Sequence, residues 1–141
     1  MEIVVAVAIM AIIGVVGFVA LNPAGQIGTA RNNQRKSNIQ TILNGISENI
    51  ADTRTGLFNC TSGDIPSSSK KMAVGAGNYD TAGCLVPIYL STMPFDPSAS
   101  SAHYISNSDY DSGYLVIKNA STGKVTVSAP SAEFGKVISA P

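Results

Sequence analysis

The side chains able to do chemistry are few. The chain holds one histidine, His103, two cysteines, Cys60 and Cys84, and no tryptophan. A nucleophilic thiol needs a base within hydrogen-bond reach and a third group to orient that base. His103 is the sole candidate base and no orienting group is evident, so thiol catalysis is not expected. Two cysteines in an exported domain favour a disulfide instead. Closing a loop of about 25 residues stabilises by about 3.5 kcal/mol in the chain-entropy model. Asp96, Asp109 and Asp111 stand in turn-like sequence and could offer oxygens to calcium. Aspartate in turns more often serves local hydrogen bonds. No complete calcium loop, Gly-rich phosphate loop or metal-ligand cluster is legible. The expectation is a non-enzyme without a resident cofactor, with calcium at those three aspartates as the weak exception.

Arg31, Arg35 and Lys36 could touch DNA or lipid phosphates. They read rather as a solvated helix face, or as partners for Glu48 and Asp52 of an adjacent copy. Asn59-Cys60-Thr61 and Asn119-Ala120-Ser121 fit the glycosylation acceptor pattern, which coincidence also explains. The 141 residues carry zero formal charge, nine basic against nine acidic, which excludes a broad electrostatic footprint for nucleic acid. Charged residues make up only 13% of the chain while 45% is hydrophobic. Ser, Thr, Asn and Gly fill the deficit, which suits an exported surface.

The elements that carry these residues begin with an apolar run. From Ile3 to Leu21 no charged or strongly polar residue occurs. As a helix the run spans roughly 28 Å, close to a bilayer core of about 30 Å, and in lipid helix is the form that satisfies its backbone. A cleavable signal peptide would need a basic start and a small-residue exit. A buried core helix would be shorter or one-sided. Glu2 places a carboxylate at the tip of the run. It can rest at headgroup level against the helix N-terminus, or pair with a cation inside apolar surroundings, such as the N-terminal ammonium of another copy. Basic residues follow the run and none precedes it, which for a one-pass protein predicts a cytoplasmic C-terminal part. The cysteines argue for the opposite side, and removal of a short basic leader would reconcile the two.

Pro23, Gly25 and Gly28 weaken helix after the run. Ile39, Ile42, Leu43, Ile46 and Ile50 then recur at spacings of three and four, an amphipathic helix ending near Thr53–Gly56. The expected organisation is a helical stem over residues 1–53, apolar over 1–21 and about 75–80 Å long if continuous, packed on a head of residues 54–141. In the head, Tyr104–Ser106, Gly113–Lys118, Lys124–Ser128 and Phe134–Ser139 read as strands. Asn119–Gly123 and Asp109–Gly113 read as turns, and Leu57–Gly83 as a long connection tied by Cys60–Cys84. Leu115, Ile117, Val125 and Val127 are expected to face the stem. The fold class is α+β.

Glu2, the run Ile3–Leu21 with Gly14 inside it, Pro23 and the amphipathic continuation resemble the type IV pilin and pseudopilin family. Leu21-Asn22-Pro23-Ala24 and Ala30–Ser37 are similar to short bacterial pilins. Tyr89–Pro97, Tyr104 and Gly113-Tyr114 are similar to the Pro-x-Asp-Pro and Tyr patterns of minimal pilin heads and major pseudopilins. The resemblance implies the type IV pilin fold and a homo-oligomeric helical filament on the bacterial cell surface, fed from a pool in the inner membrane. It implies a prepilin leader cut by a membrane peptidase, N-methylation, and assembly by a platform protein and an ATPase. Glu2, Ile3, Val7, Met10, Gly14, Phe18 and Pro23 are the expected assembly residues. Family members usually carry several residues before the glutamate where this chain has only Met1, so no cleavage position is assigned. Adhesion, twitching motility and DNA uptake are all family roles. The alternatives are a major pseudopilin of a type II secretion system and a membrane-anchored binding domain that never polymerises.

Overall fold

A left-handed residue and a proline divide the N-terminal helical sequence in two. The computed structural model describes residues 2–20 and 22–141, without the side chains of residues 18–20. Helix α1 covers Glu2–Ala20 and helix α2 covers Pro23–Thr53. Asn22 between them has φ 40° and ψ 65°, a region that Asn tolerates better than most residues. Its side-chain oxygen accepts a hydrogen bond from the Gly25 amide at 3.3 Å and caps α2. Pro23 occupies the first helical position, where its missing N–H is no loss. The helical sequence is thus broken at Asn22 into two helices, and Pro23 starts the second rather than kinking one. At the far end Arg54, left-handed at φ 54°, closes α2 two residues before the expected stop at Gly56.

The side chains of α1 are described through Gly17, and all of them are exposed. Among the described residues no helix is long and apolar enough to cross a membrane. Met1, Leu21 and the Phe18 side chain, all within the expected spanning run or its start, lie outside the described residues.

The head is a five-stranded antiparallel sheet laid against α2. Its strands are β1 (Lys70–Ala73), β2 (His103–Ser106), β3 (Asp109–Lys118), β4 (Val125–Ala129) and β5 (Ile138–Ala140), in the order β1-β3-β4-β5 with β2 also on β3. A short helix, α3 (Ala82–Leu85), precedes the second half of the head. Ile39, Ile42, Leu43 and Ile46 of α2 are buried together with Met72, Tyr110, Tyr114, Val116, Val127 and Ile138. The expected stripe is thus the core seam.

Four head readings change. Asp109–Gly113 is the first half of β3, not a turn. Its turn-type residues produce an irregularity inside the strand: Gly113 has φ +73°, and a Cβ there would lie 3.0 Å from that of Asp96. Tyr114 and Val116 point into the core, whereas Leu115 and Ile117 are half-exposed on the other face. Val116 sits opposite Val127, and directly opposed residues share a face, so the burial of Val127 fixes Val116 inward. Residues 134–139 are not one strand. A 3₁₀ turn, Glu133–Gly135, precedes β5. The connection Leu57–Gly83 contains β1, whose Lys-Lys-Met-Ala sequence has too weak an alternation to announce a strand.

Cys60 and Cys84 form a disulfide across a separation of 24 residues. Asn49 of α2 clamps both sides of it, accepting from the Asn59 amide at 2.8 Å and donating to the Asn59 and Cys84 carbonyls. Replacing both cysteines by Ser is predicted to cost about 3.5 kcal/mol, read as a lower urea midpoint against the oxidised parent.

Candidate functional site

Two surfaces carry the candidate site residues: α1, and the first turns of α2. On α1, Ile3, Val7, Met10 and Gly14 follow each other at spacings of four, three and four, so they lie on one face. Glu2 stands in the first turn. Ile3 is 80% exposed and Met10 73%. The remaining faces are equally apolar and equally open, so α1 has no polar side. Of the other assembly candidates, Pro23 begins α2 and the Phe18 side chain is not described.

The start of α2 is polar and buried. The guanidinium of Arg35 is completely inaccessible. Its Nε donates to Asp96 Oδ2 at 2.8 Å and its Nη2 to Asp96 Oδ1 at 3.0 Å, a two-pronged pair. Nη2 also donates to Ser98 Oγ at 2.6 Å and Nη1 to Asn32 Oδ1 at 2.8 Å. Asp96 Oδ1 accepts from the Ser98 and Ala99 amides. Guanidinium and carboxylate are thus each surrounded by matched partners, the condition under which a buried pair is tolerated. Burial pushes the Asp96 carboxyl up, but the Arg35 bond and the two backbone amides outweigh it and hold the group below the usual carboxylate range. The Asp96 bond raises Arg35 still further.

The network continues to either side. Asn32 donates to the Glu133 carbonyl and accepts from the Glu133 amide, both at 3.0 Å. Arg31 reaches Glu133 Oε1 at 3.2 Å. Asn38 donates to the Phe95 carbonyl and to the Tyr114 hydroxyl. Three separate segments, around residues 96, 114 and 133, are thereby pinned to one helix face. The expectation that Arg31, Arg35 and Lys36 form a solvated face is corrected for Arg35, which is a core residue. Lys36 is exposed and Arg31 is half-exposed.

The three calcium candidates do not converge. Asp96 holds Arg35. Asp111 accepts from Lys71 Nζ at 2.6 Å, from Ser101 Oγ and from the Gly113 amide. Asp109 faces His103 Nε2 at 3.1 Å. Each carboxylate already meets a cationic or imidazole group of the chain. No cluster of three metal-ligating side chains occurs among the described residues. His103 is half-exposed, and its bond to the Ser101 carbonyl, with Asp109 second, raises its pKa. Neither cysteine is a free thiol. Of the two acceptor asparagines, Asn119 turns its side-chain oxygen to the Ser121 and Thr122 amides and so forms its own hairpin turn.

No protein-family model matches the chain, and neither a curated protein nor a solved structure is significantly similar to it.

Removing one partner of a buried pair leaves the other charge uncompensated, at about 3–5 kcal/mol. Arg35→Met and Asp96→Ala are each predicted to destabilise the head by that amount in urea titration. The pair also sets acid sensitivity. A carboxylate with a depressed folded pKa stabilises fully above its unfolded value near 4, and that stability is lost as pH falls through the folded value. Asp64 and Asp111 are lowered too, their lysine and amide bonds outweighing burial. Stability is predicted to hold from neutral pH to about 5 and to fall below about 4, with a shallower fall in Asp96→Asn, measured by chemical denaturation across that range.

Proposed function

We propose that this chain is a structural filament subunit of the type IV pilin class, which polymerises by burying α1 against the α1 helices of other copies. One observation carries the reading: α1 is apolar on every side, and each of its described side chains is exposed. Large apolar side chains are left uncovered by the chain from Ile3 to Val16, and taking each out of water is worth about 1.5–3 kcal/mol. No face of the helix is polar enough to remain in water, so the cover has to come from all round. Lipid before assembly and a bundle of identical helices afterwards both supply that.

Glu2 gives the bundle a register. A carboxylate within the apolar layer costs about 2.5–3.5 kcal/mol, a penalty relieved when an N-terminal ammonium of a neighbour comes alongside. The residues on one α1 stripe, Ile3, Val7, Met10 and Gly14, are the contact positions, with Phe18 in sequence continuation. The helix break at Asn22 lets α1 take its place in the bundle without dragging the head. The disulfide and the Ser- and Thr-rich exterior fit a head outside the cell.

The resemblance of the stem and of the segment Tyr89–Pro97 to pilins supports the same reading, together with export through the inner membrane, leader removal and an assembly ATPase. The choice between a surface pilus and a secretion pseudopilus rests on filament length. Electron microscopy of material sheared from cells is predicted to show fibres containing this chain. Glu2→Gln is predicted to leave membrane-associated monomer with few or no fibres. Monomer in detergent together with fibre-free cells would overturn the reading in favour of an anchored binding domain.

A further inference from the structure

Phe134 combines a left-handed backbone with an exposed aromatic ring. Its backbone is left-handed, at φ 61° and ψ 29°, and Gly135 follows at φ 62°. For a residue with a Cβ that conformation costs roughly 1–2 kcal/mol. Burial would ordinarily compensate an aromatic ring, yet Phe134 is 60% exposed. Such strain persists where surrounding structure over-determines it, and it gathers at functional places.

The surroundings do over-determine it. Asn32 holds both backbone polar groups of Glu133, and Arg31 holds its carboxylate. The ring of Phe134 lies over Gly28, where any Cβ would collide with it. The turn is therefore mounted firmly on the second and third turns of α2. Phe134 also shares a surface groove with Asn22, Gly25, Gln26 and Thr29, so the ring sits beside the junction with α1. Val137, three residues on, is 90% exposed, and Ile27 of α2 is open as well. Lys136 lies between Phe134 and Val137 in the turn and is exposed.

We propose that the turn of residues 133–137 is a membrane-contact foot, which seats Phe134 and Val137 in the headgroup layer of the bilayer that holds α1. This rests on the membrane residence of α1 argued above. An aromatic and an aliphatic side chain with a neighbouring lysine, at the point where an apolar helix ends, is the composition that headgroup layers favour. The lysine adds attraction to anionic lipid. A second copy's α1 is the rival occupant. The exposed Lys136 ammonium would lose its water without a partner along α1, where Glu2 is the charged residue, whereas headgroup phosphates can receive it.

The absence of tryptophan makes a single introduced indole a clean reporter. Full-length Phe134→Trp, Val137→Trp and Leu57→Trp chains are placed in vesicles of phosphatidylcholine and phosphatidylglycerol and checked by flotation. Leu57 lies beyond the far end of α2 and serves as the remote control. In floated vesicles the emission of Phe134→Trp and Val137→Trp is expected to shift to the blue. It is expected to lose most of its intensity to lipids brominated near the headgroup end of the chain, while Leu57→Trp is unaffected. Val137→Trp, at an open position, guards against a folding defect in the first variant. Floated protein with all three indoles unquenched overturns the foot while leaving the membrane reading of α1 intact. A blue shift without lipid quenching assigns the turn to a neighbouring copy and also overturns it. Failure to float overturns both.

Discussion

The buried pair of Arg35 and Asp96 is the constraint around which the head is arranged. A guanidinium without solvent has to find protein acceptors for its N–H groups, and here Asp96, Ser98 and Asn32 supply them. Asn32 stands one turn earlier on the same helix, whereas Asp96 and Ser98 belong to one segment far along the chain, so satisfying one cation fixes the approach of that segment to the helix. The carboxylate is equally demanding, and the amides of Ser98 and Ala99 complete it. An apolar pair of the same volume would give similar stability with less geometric demand. What the ionic version adds in this fold is a single admissible docking of the Pro94–Pro97 segment on α2.

Above that pair along α2 the interface becomes ordinary hydrophobic packing, and at its end it becomes polar again. Ile39, Ile42 and Ile46 meet the sheet, and then Asn49 takes hold of the cystine segment. The sheet therefore does not rest on an apolar stripe alone. The segments that flank it are clamped to both ends of α2 by amide and ion-pair contacts, with the apolar seam between them. Tyr110 plays a comparable part inside the head: its hydroxyl accepts from the Thr81 and Ala82 amides at the start of α3 and donates to Asp80.

Much of this was legible in the residues. The isoleucine spacing located the seam, the two cysteines located the cross-link, and the hairpin at Asn119–Gly123 was clear from its turn residues. The buried arginine was not, because hydrophobicity was the criterion and Arg35 fails it. Yet the spacing that runs through Ile39, Ile42 and Ile46 extends backward to Arg35, Asn32 and Gly28, and forward to Asn49, at steps of three and four. All of these positions are buried. Continuing the period without regard to residue type would have found them. The facing of β3 was missed for a different reason. Leu115 and Ile117 are the more apolar alternate pair, but cross-strand register and not local hydropathy decides which face turns inward. The turn read at Asp109–Gly113 failed because Asp, Ser and Gly also serve in-strand irregularities.

The arrangement along α2 has a mechanical side. Any tension carried by α1 enters the head through Asn22 and the first turns of α2, where the attachments are short, directional hydrogen bonds to Glu133, Asp96 and Ser98. The cystine and its asparagine clamp stand at the opposite end, outside the route by which load arrives. A pull on the tail therefore strains the polar bonds first and in parallel, while the cross-linked end keeps the rest of the sheet together should they give way.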